Sequence, residues 1–226
     1  MLDLGVIVSN FKFLVVQVLF GLGGFAGGTL RLAIPAIVLG FLLGIFVGIA
    51  RLARARWINL PATVYVEFFR GVPLVMVIFW IWFVVPQLLR LPIPEYGVAL
   101  TAFVIFEAAY FGEIVRAGIQ SVPRGQVSAG YALGLNYWQM MGYVVLPQAF
   151  RNMTPVLLTQ TVILFQDTSL VYVLSVTDFL GAAAKVANRD HRLVEMYLFA
   201  AVVYFLVSFG ASYYVRRMQA RIAIPT

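Results

Sequence analysis

Residues 124–155 read RGQVSAGYALGLNYWQMMGYVVLPQAFRNMTP, and their character decides what the rest of the chain can be. Gly, Asn, Gln, Pro and Arg interrupt the stretch too often for a comfortable bilayer crossing, yet it is too apolar for an ordinary aqueous loop. Pro123 suits the first turn of a helix, where its missing N–H costs nothing. Gly134 suits a helix C-terminus, because glycine enters the left-handed conformation without a side-chain clash. Asn136 offers a fresh N-cap, and Gln139, three residues on, completes a capping box. Two short helices are therefore predicted, about 123–133 and 137–146, meeting at a bend. Val127, Tyr131, Leu135, Trp138, Met141 and Val145 recur every three or four residues and predict a stripe that packs on the protein's own spans. Ser128, Ala129, Gly130, Ala132 and Gly134 concentrate small side chains around the bend, where a second surface could approach the backbone closely. On physics alone the segment is either such a docking element or a structured loop with incidental glycines.

Composition names the solvent. The chain has 226 residues, 62% of them hydrophobic and 11% charged, against about a quarter charged in ordinary soluble domains. So much apolar surface needs lipid around it. There is no cysteine, which excludes disulfides and thiolate metal sites. The one histidine, His191, lies in KVANRDHRLVE (185–195), which reads as a polar outer loop without metal-ligand spacing, so no metal site is expected. The net charge of +7 comes from bases scattered between apolar runs. That distribution reports membrane orientation rather than a nucleic-acid patch. The opening MLDLGVIVSN lacks a cationic n-region, so a cleaved signal peptide is not expected.

A helix needs about 20 apolar residues to cross a bilayer. Five runs qualify: Leu32 to Ala50, Gly71 to Leu89, Tyr96 to Arg116, about Asn152 to Val176, and Met196 to Val215. The predicted fold is thus all-α, integral to the membrane, with termini on opposite sides. Arg51, Arg54, Arg56, Arg70, Arg116, Arg124, Arg151, Arg216, Arg217 and Arg221 fall on one side, ten of the 16 basic residues. The richer side should be cytoplasmic, which places the N-terminus outside and the C-terminus inside. Residues 13–30 hold Gly21, Gly23, Gly24, Gly27 and Gly28, and read as an interfacial or half-inserted helix plus a loop, with a sixth span as the alternative. Trp57 to Phe69 is too short to cross and reads as a helix near the inner interface, anchored by Trp57 and Tyr65.

At this point spacing adds a resemblance. Ser128-Ala129-Gly130, then Gly134, then Val144, Leu146 and Pro147 keep every interval of the EAA loop of bacterial ABC importer permeases. Ser128 stands where that loop has Glu, and Gly130 where it has its second Ala. The letters E-A-A at 107–109 are a decoy inside a span, with Glu113 where the glycine should be. Further stretches resemble the polar amino-acid branch of the family, in order: TLRL (29–32), FRGVPL (69–74), EIVRAGI (113–119), Gly125-Gln126, LPQAFR (146–151) and DTSL (167–170). The runs FEAAYFGEIVRAGIQS and LTQTVILFQDTSLVYVLS look most like glutamate/aspartate importer permease subunits.

The resemblance covers roughly residues 25–217 and implies a MetI-like permease domain over 30–217. An N-terminal periplasmic or interfacial segment (1–29) would precede it and a cytoplasmic tail (218–226) would follow. The coupling loop at about 121–147 would present Arg124, Gly125, Gln126, Ser128, Ala129, Gly130, Ala132, Leu133 and Gly134 to an ATPase. No G-x-x-x-x-G-K-[ST] occurs in the chain. The chain is then no enzyme and holds no cofactor, and ATP-Mg belongs to a separate ATPase subunit. Five spans are too few to enclose a pathway, which implies a second permease, identical or a sister chain. A periplasmic amino-acid-binding protein would deliver the substrate, at a bacterial inner membrane.

Ionisable groups inside a membrane are expensive and point to function. Asp167 lies seven residues after Gln160, two helical turns, on the same face, and is followed by Thr168 and Ser169. That face could meet an α-amino group with Asp167 and a carboxylate with hydroxyl and amide groups. The resemblance also places Gln160 and Asp167 at the substrate site. The other reading has Asp167 capping a broken helix with Thr168 and Ser169. Glu107, in the third span, either binds substrate or pairs with a base on another helix. Glu113 and Arg116, three apart, read as a simple helical pair, and Arg70 as an orientation or packing residue. An ion-coupled secondary transporter working through Glu107 and Asp167 is the rival function; it leaves residues 124–155 without a task.

Overall fold

The computed structural model describes residues 4–21, 28–90, 93–174 and 176–222; among these it is all helix and loop. The helices are α1 (Gly5–Phe11, continued by a π-helix Lys12–Leu19), α2 (Thr29–Leu52), α3 (Arg56–Gly71), α4 (Leu74–Leu89) and α5 (Glu95–Gln120). They continue as α6 (Arg124–Ala132), α7 (Tyr137–Met140), α8 (Leu146–Asp167), α9 (Phe179–Arg189) and α10 (Leu193–Ile222).

α2 and α5 form the spine. Gly40, Gly44 and Gly48 make a stripe on α2 that lets α5 come close, the small-residue device of helices packed in lipid. Gly40 lies against Glu107, Gly44 against Phe111 and Gly48 against Val115, a constant offset that makes the two helices parallel. At the other end of the pair, the Tyr96 hydroxyl donates to the Arg31 carbonyl at 2.7 Å. Around this spine gather Val77 and Ile78 of α4 and Leu164 of α8, all buried. Phe46, Phe205 and Leu206 stay 60% or more exposed on outward faces, where lipid rather than water is the neighbour.

Four helical stretches are long and apolar enough to cross a bilayer alone: Thr29–Leu52, Glu95–Gln120, Tyr137–Leu174 and Leu193–Ala220. The expected span at 71–89 is shorter. α4 starts at Leu74, has 16 residues, and meets α3 at 107°. Val72 and Pro73 are both extended there, since Pro73 disfavours helix in the residue before it. α3 is thus the separate short helix that the sequence predicted.

Three expectations need correction. First, the second of the two short helices predicted in 123–146 does not end near 146. A π-helix (Met141–Val145) carries α7 directly into α8, and a 3₁₀ stretch (Thr168–Leu174) extends it further. Pro147 is tolerated because it closely follows the π-helix, where the i→i−4 ladder is already interrupted, and Gln148 Nε2 donates to the Val144 carbonyl at 2.9 Å. Second, the stretch 185–195 expected as a polar loop is mostly helix, with only 190–192 between α9 (Phe179–Arg189) and α10 (from Leu193). The buried face of α9 is made of Phe179, Ala182, Ala183, Val186 and Ala187. Asp178 starts it, accepting from the backbone of Leu180 and Gly181 at 3.0 and 2.8 Å, and His191, at φ +55°, follows its end. Third, helix begins in the segment before 30 as early as Gly5, and packs Leu14, Val18 and Leu19 against α9 and α10. At 15 residues it falls short of a crossing. Most of the glycine-rich stretch, 22–27, lies outside the described residues, as does 223–226 of the expected tail.

Candidate functional site

The polar residues of the third and fourth spans meet inside the bundle. Glu107 of α5 is fully buried, pressed between Gly40 of α2 and Gln160 of α8. Gln160 Nε2 donates to Glu107 Oε2 at 3.0 Å. Glu107 Oε1 has no partner among the described residues. A buried carboxylate oxygen left unpaired costs about 1–3 kcal/mol or more, so the site keeps an unsatisfied acceptor. The base that the sequence allowed as a partner for Glu107 is not there; an amide takes that place. Asp167, two turns along α8 from Gln160, is half-buried and makes no hydrogen bond or ion pair among the described residues. It lies within electrostatic reach of Glu107.

Thr168 and Ser169 part company. Thr168 is fully buried and its hydroxyl donates to the Phe165 carbonyl at 2.6 Å. Nearby, the Tyr204 hydroxyl donates to Asp178 Oδ2 at 3.3 Å. Thr29 joins the same knot by accepting the Phe179 N–H at 3.0 Å. α2, α9 and α10 are tied together there, while Thr168 spends its hydroxyl on its own helix and in this conformation serves the scaffold. Ser169 remains half-buried beside it.

Glu113 anchors more than the expected helical pair. Arg116 grips it with Nη2 at 2.5 Å from Oε1 and Nε at 3.0 Å from Oε2. Arg51, from the end of α2, bonds Oε2 as well. Arg70, from the end of α3, stands 3.8 Å from Oε1 and places its guanidinium 5.6 Å from the centre of the Tyr110 ring. Three helix ends therefore meet on one carboxylate.

The bend of residues 124–155 forms as its residues dictate. Gly134 takes φ +79°. Its N–H donates to the Tyr131 carbonyl at 3.0 Å and that of Leu135 to the Gly130 carbonyl at 3.1 Å, a Schellman closure of α6. Asn136 and Gln139 exchange both bonds of a capping box, each at 3.0 Å. Arg124, Gly125, Gln126, Ser128, Ala129, Ala132, Leu133 and Gly134 are all exposed; Gly130 is buried, because Met140 lies on it. The apolar stripe splits. Val127, Met141 and Val145 pack with Val122, Met140 and Ala149. Tyr131 and Trp138 do not; they stand 50% and 80% exposed, with Leu133 at 82%. The bend thus shows an outward apolar rim instead of burying its whole stripe.

Sequence reading missed the gathering of Arg51 and Arg70 on Glu113, which joins residues 62 and 43 positions apart and leaves no local trace. It also missed the Gly40-x-x-x-Gly44-x-x-x-Gly48 spacing, a signal that was present. Among the described residues no three metal-binding side chains come together.

Residues 36–224 match the family model described as a binding-protein-dependent transport system inner membrane component. The chain is 47% identical over 202 residues to the glutamate/aspartate import permease protein GltK of Escherichia coli O6:H1, covering 86% of this chain and 90% of that one. It is 34% identical over 197 residues to the probable glutamine ABC transporter permease protein GlnP of Bacillus subtilis, covering 85% and 89%. A crystal structure of an amino acid ABC transporter with histidines superposes with a TM-score of 0.88 at 27% identity, over 98% of this chain and 99% of that one.

Proposed function

Since the chain belongs to the family of binding-protein-dependent transport system inner membrane components, we propose that it is the permease subunit of an ATP-driven importer of acidic amino acids, glutamate and aspartate. Its membership makes it a multi-pass protein of the inner membrane and a transport component rather than an enzyme. The observation that carries the substrate reading is the 47% identity, over nine-tenths of its length, to a glutamate/aspartate import permease.

The geometry supports an amino-acid cargo. Glu107 offers an unpaired carboxylate oxygen, and Asp167 a carboxylate with no partner among the described residues. Both suit an α-ammonium, which carries three donors and a charge. Gln160 joins them as a neutral group able to donate and accept. The exposed face of α6 with Leu133 and Gly134 suits an ATPase seated from outside the membrane. In this reading the arginine-rich helix ends and the α6–α7 bend face the cytoplasm, the ATPase closes on that bend, and a second permease completes the pathway. Closure rocks the two halves and exposes the site alternately to each side. A periplasmic binding protein supplies the cargo.

Uptake into proteoliposomes tests this. The permease, reconstituted with its ATPase and binding protein, should accumulate glutamate and aspartate only with internal ATP and external binding protein. Accumulation by the permease alone, driven by a proton or sodium gradient, would overturn the reading.

A further inference from the structure

The three arginines around Glu113 are not equally satisfied. Arg116 and Arg51 hold hydrogen-bonded positions on its two oxygens and are 25% and 11% exposed in their side chains. Arg70 stands at 3.8 Å, beyond hydrogen-bond distance, with 44% of its side chain exposed. One anion faces three cations, and the surplus is least compensated at Arg70. Among the described residues, charge attraction and the Tyr110 ring alone position that guanidinium. Tyr110 itself sits on α5 midway between Glu107 and Glu113, three residues from each, so Arg70 is held one helical turn from the Glu107–Gln160 pair. The space next to it is open: a Cβ added at Gly71 would meet nothing within 4 Å. A planar fork of donors held on an aromatic face, beside open space and short of an anion, is a receptor for a carboxylate.

We propose that Arg70 binds a carboxylate of the transported amino acid while its ammonium lies against Glu107 and Asp167. The assignment rests on the amino-acid importer reading. It turns the orientation role expected for Arg70 into a pathway role, and supplies the cation that an acidic cargo needs beside two acidic side chains.

The test is direct binding of glutamate and glutamine to the permease–ATPase complex in nanodiscs, without binding protein, titrated by saturation-transfer NMR. Arg70→Gln should weaken glutamate about tenfold or more, the size of a lost charge-assisted bond. Arg70→Lys, which keeps the charge, should restore most of it. Glutamine distinguishes the two carboxylates. It weakens equally if Arg70 holds the α-carboxylate, and is unchanged if Arg70 holds the side chain's. Dissociation constants for both amino acids within about twofold of wild type in Arg70→Gln, with or without a lowered melting temperature, would overturn the proposal and leave the importer reading standing. If the wild-type complex binds neither amino acid, the importer reading falls first and the proposal with it.

Discussion

The close approach of α2 and α5 predicts that two chemically identical substitutions have opposite signs. An alanine Cβ at Gly44 would lie 2.6 Å from Phe111 Cβ, 3.0 Å from Gly112 N and 3.2 Å from the Ala108 carbonyl oxygen. None of these is the end of a flexible side chain, so the strain is relieved only by separating the helices, by about 0.8 Å if the closest pair is to reach an ordinary 3.4 Å contact. Overpacking of that kind costs about 1–3 kcal/mol. The gain in helix propensity on replacing glycine returns up to about 1 kcal/mol, leaving Gly44→Ala destabilised by up to about 2 kcal/mol, about 1 kcal/mol at the middle of the range. Gly210, in α10, meets nothing within 4 Å, so Gly210→Ala keeps the propensity gain alone. The purified protein, unfolded by heat in detergent and followed by tryptophan fluorescence, reads the difference. Gly44→Ala should shift the folded-to-unfolded ratio about 5-fold, and up to about 30-fold, toward unfolding, and Gly210→Ala should shift it slightly the other way. A Gly44→Ala protein at least as stable as Gly210→Ala would refute the packing argument.

Other substitutions probe the site and its scaffold. Gly134→Asp meets no steric obstacle but must hold φ +79°, at about 1–2 kcal/mol; uptake by the reconstituted complex should be lost while the binding protein still captures ligand, and normal uptake would remove the bend from the ATPase interface. Gln160→Leu strands the second Glu107 oxygen and should cost about 1–3 kcal/mol in a melting experiment. Adding Glu107→Leu should return the stability yet leave uptake absent; a double variant that still transports would show that neither side chain serves the cargo. Asp178→Ala removes the cap of α9 and should lower stability by about 0.5–2 kcal/mol, most of which Asp178→Asn retains. Equal losses for both variants would locate the effect in charge instead of capping.

The all-helical membrane fold was legible because lipid leaves so few options: long apolar runs mark the spans almost by themselves, though the run at 71–89 proved short and bent from α3. The bend at Gly134 was legible because Schellman closure and capping box are local devices written in adjacent residues. α9 was hidden by its own composition. Its buried face is mostly alanine, which hydropathy barely registers, and it sits among Lys185, Arg189 and Asp190, which looked like a loop. The continuity of α7 with α8 was obscured by Pro147, an ordinary helix breaker that the preceding π-helix accommodates. At the site, Gln160 and Asp167 shared a face by spacing alone, and Glu107 could be singled out by its cost. The pairing of Glu107 with Gln160 depends on how α5 and α8 cross, and the burial of Thr168 on how the surrounding helices pack. Neither is encoded within reach of a local pattern.

The unbroken run from Tyr137 to Asp167 has a mechanical consequence. At 1.5 Å per residue these 31 residues make a connecting rod about 46 Å long, with the exposed aromatic rim at one end and Asp167 at the other. The π-helix at Met141–Val145, Pro147 and Pro155 all lie within it, yet it runs on as one helix. A tilt of five degrees about its midpoint would carry each end sideways by about 2 Å and Gln160 by about 1 Å, enough to loosen its bond to Glu107, so under the proposed importer reading a stroke at one end and the geometry of the polar site at the other are two readings of one angle.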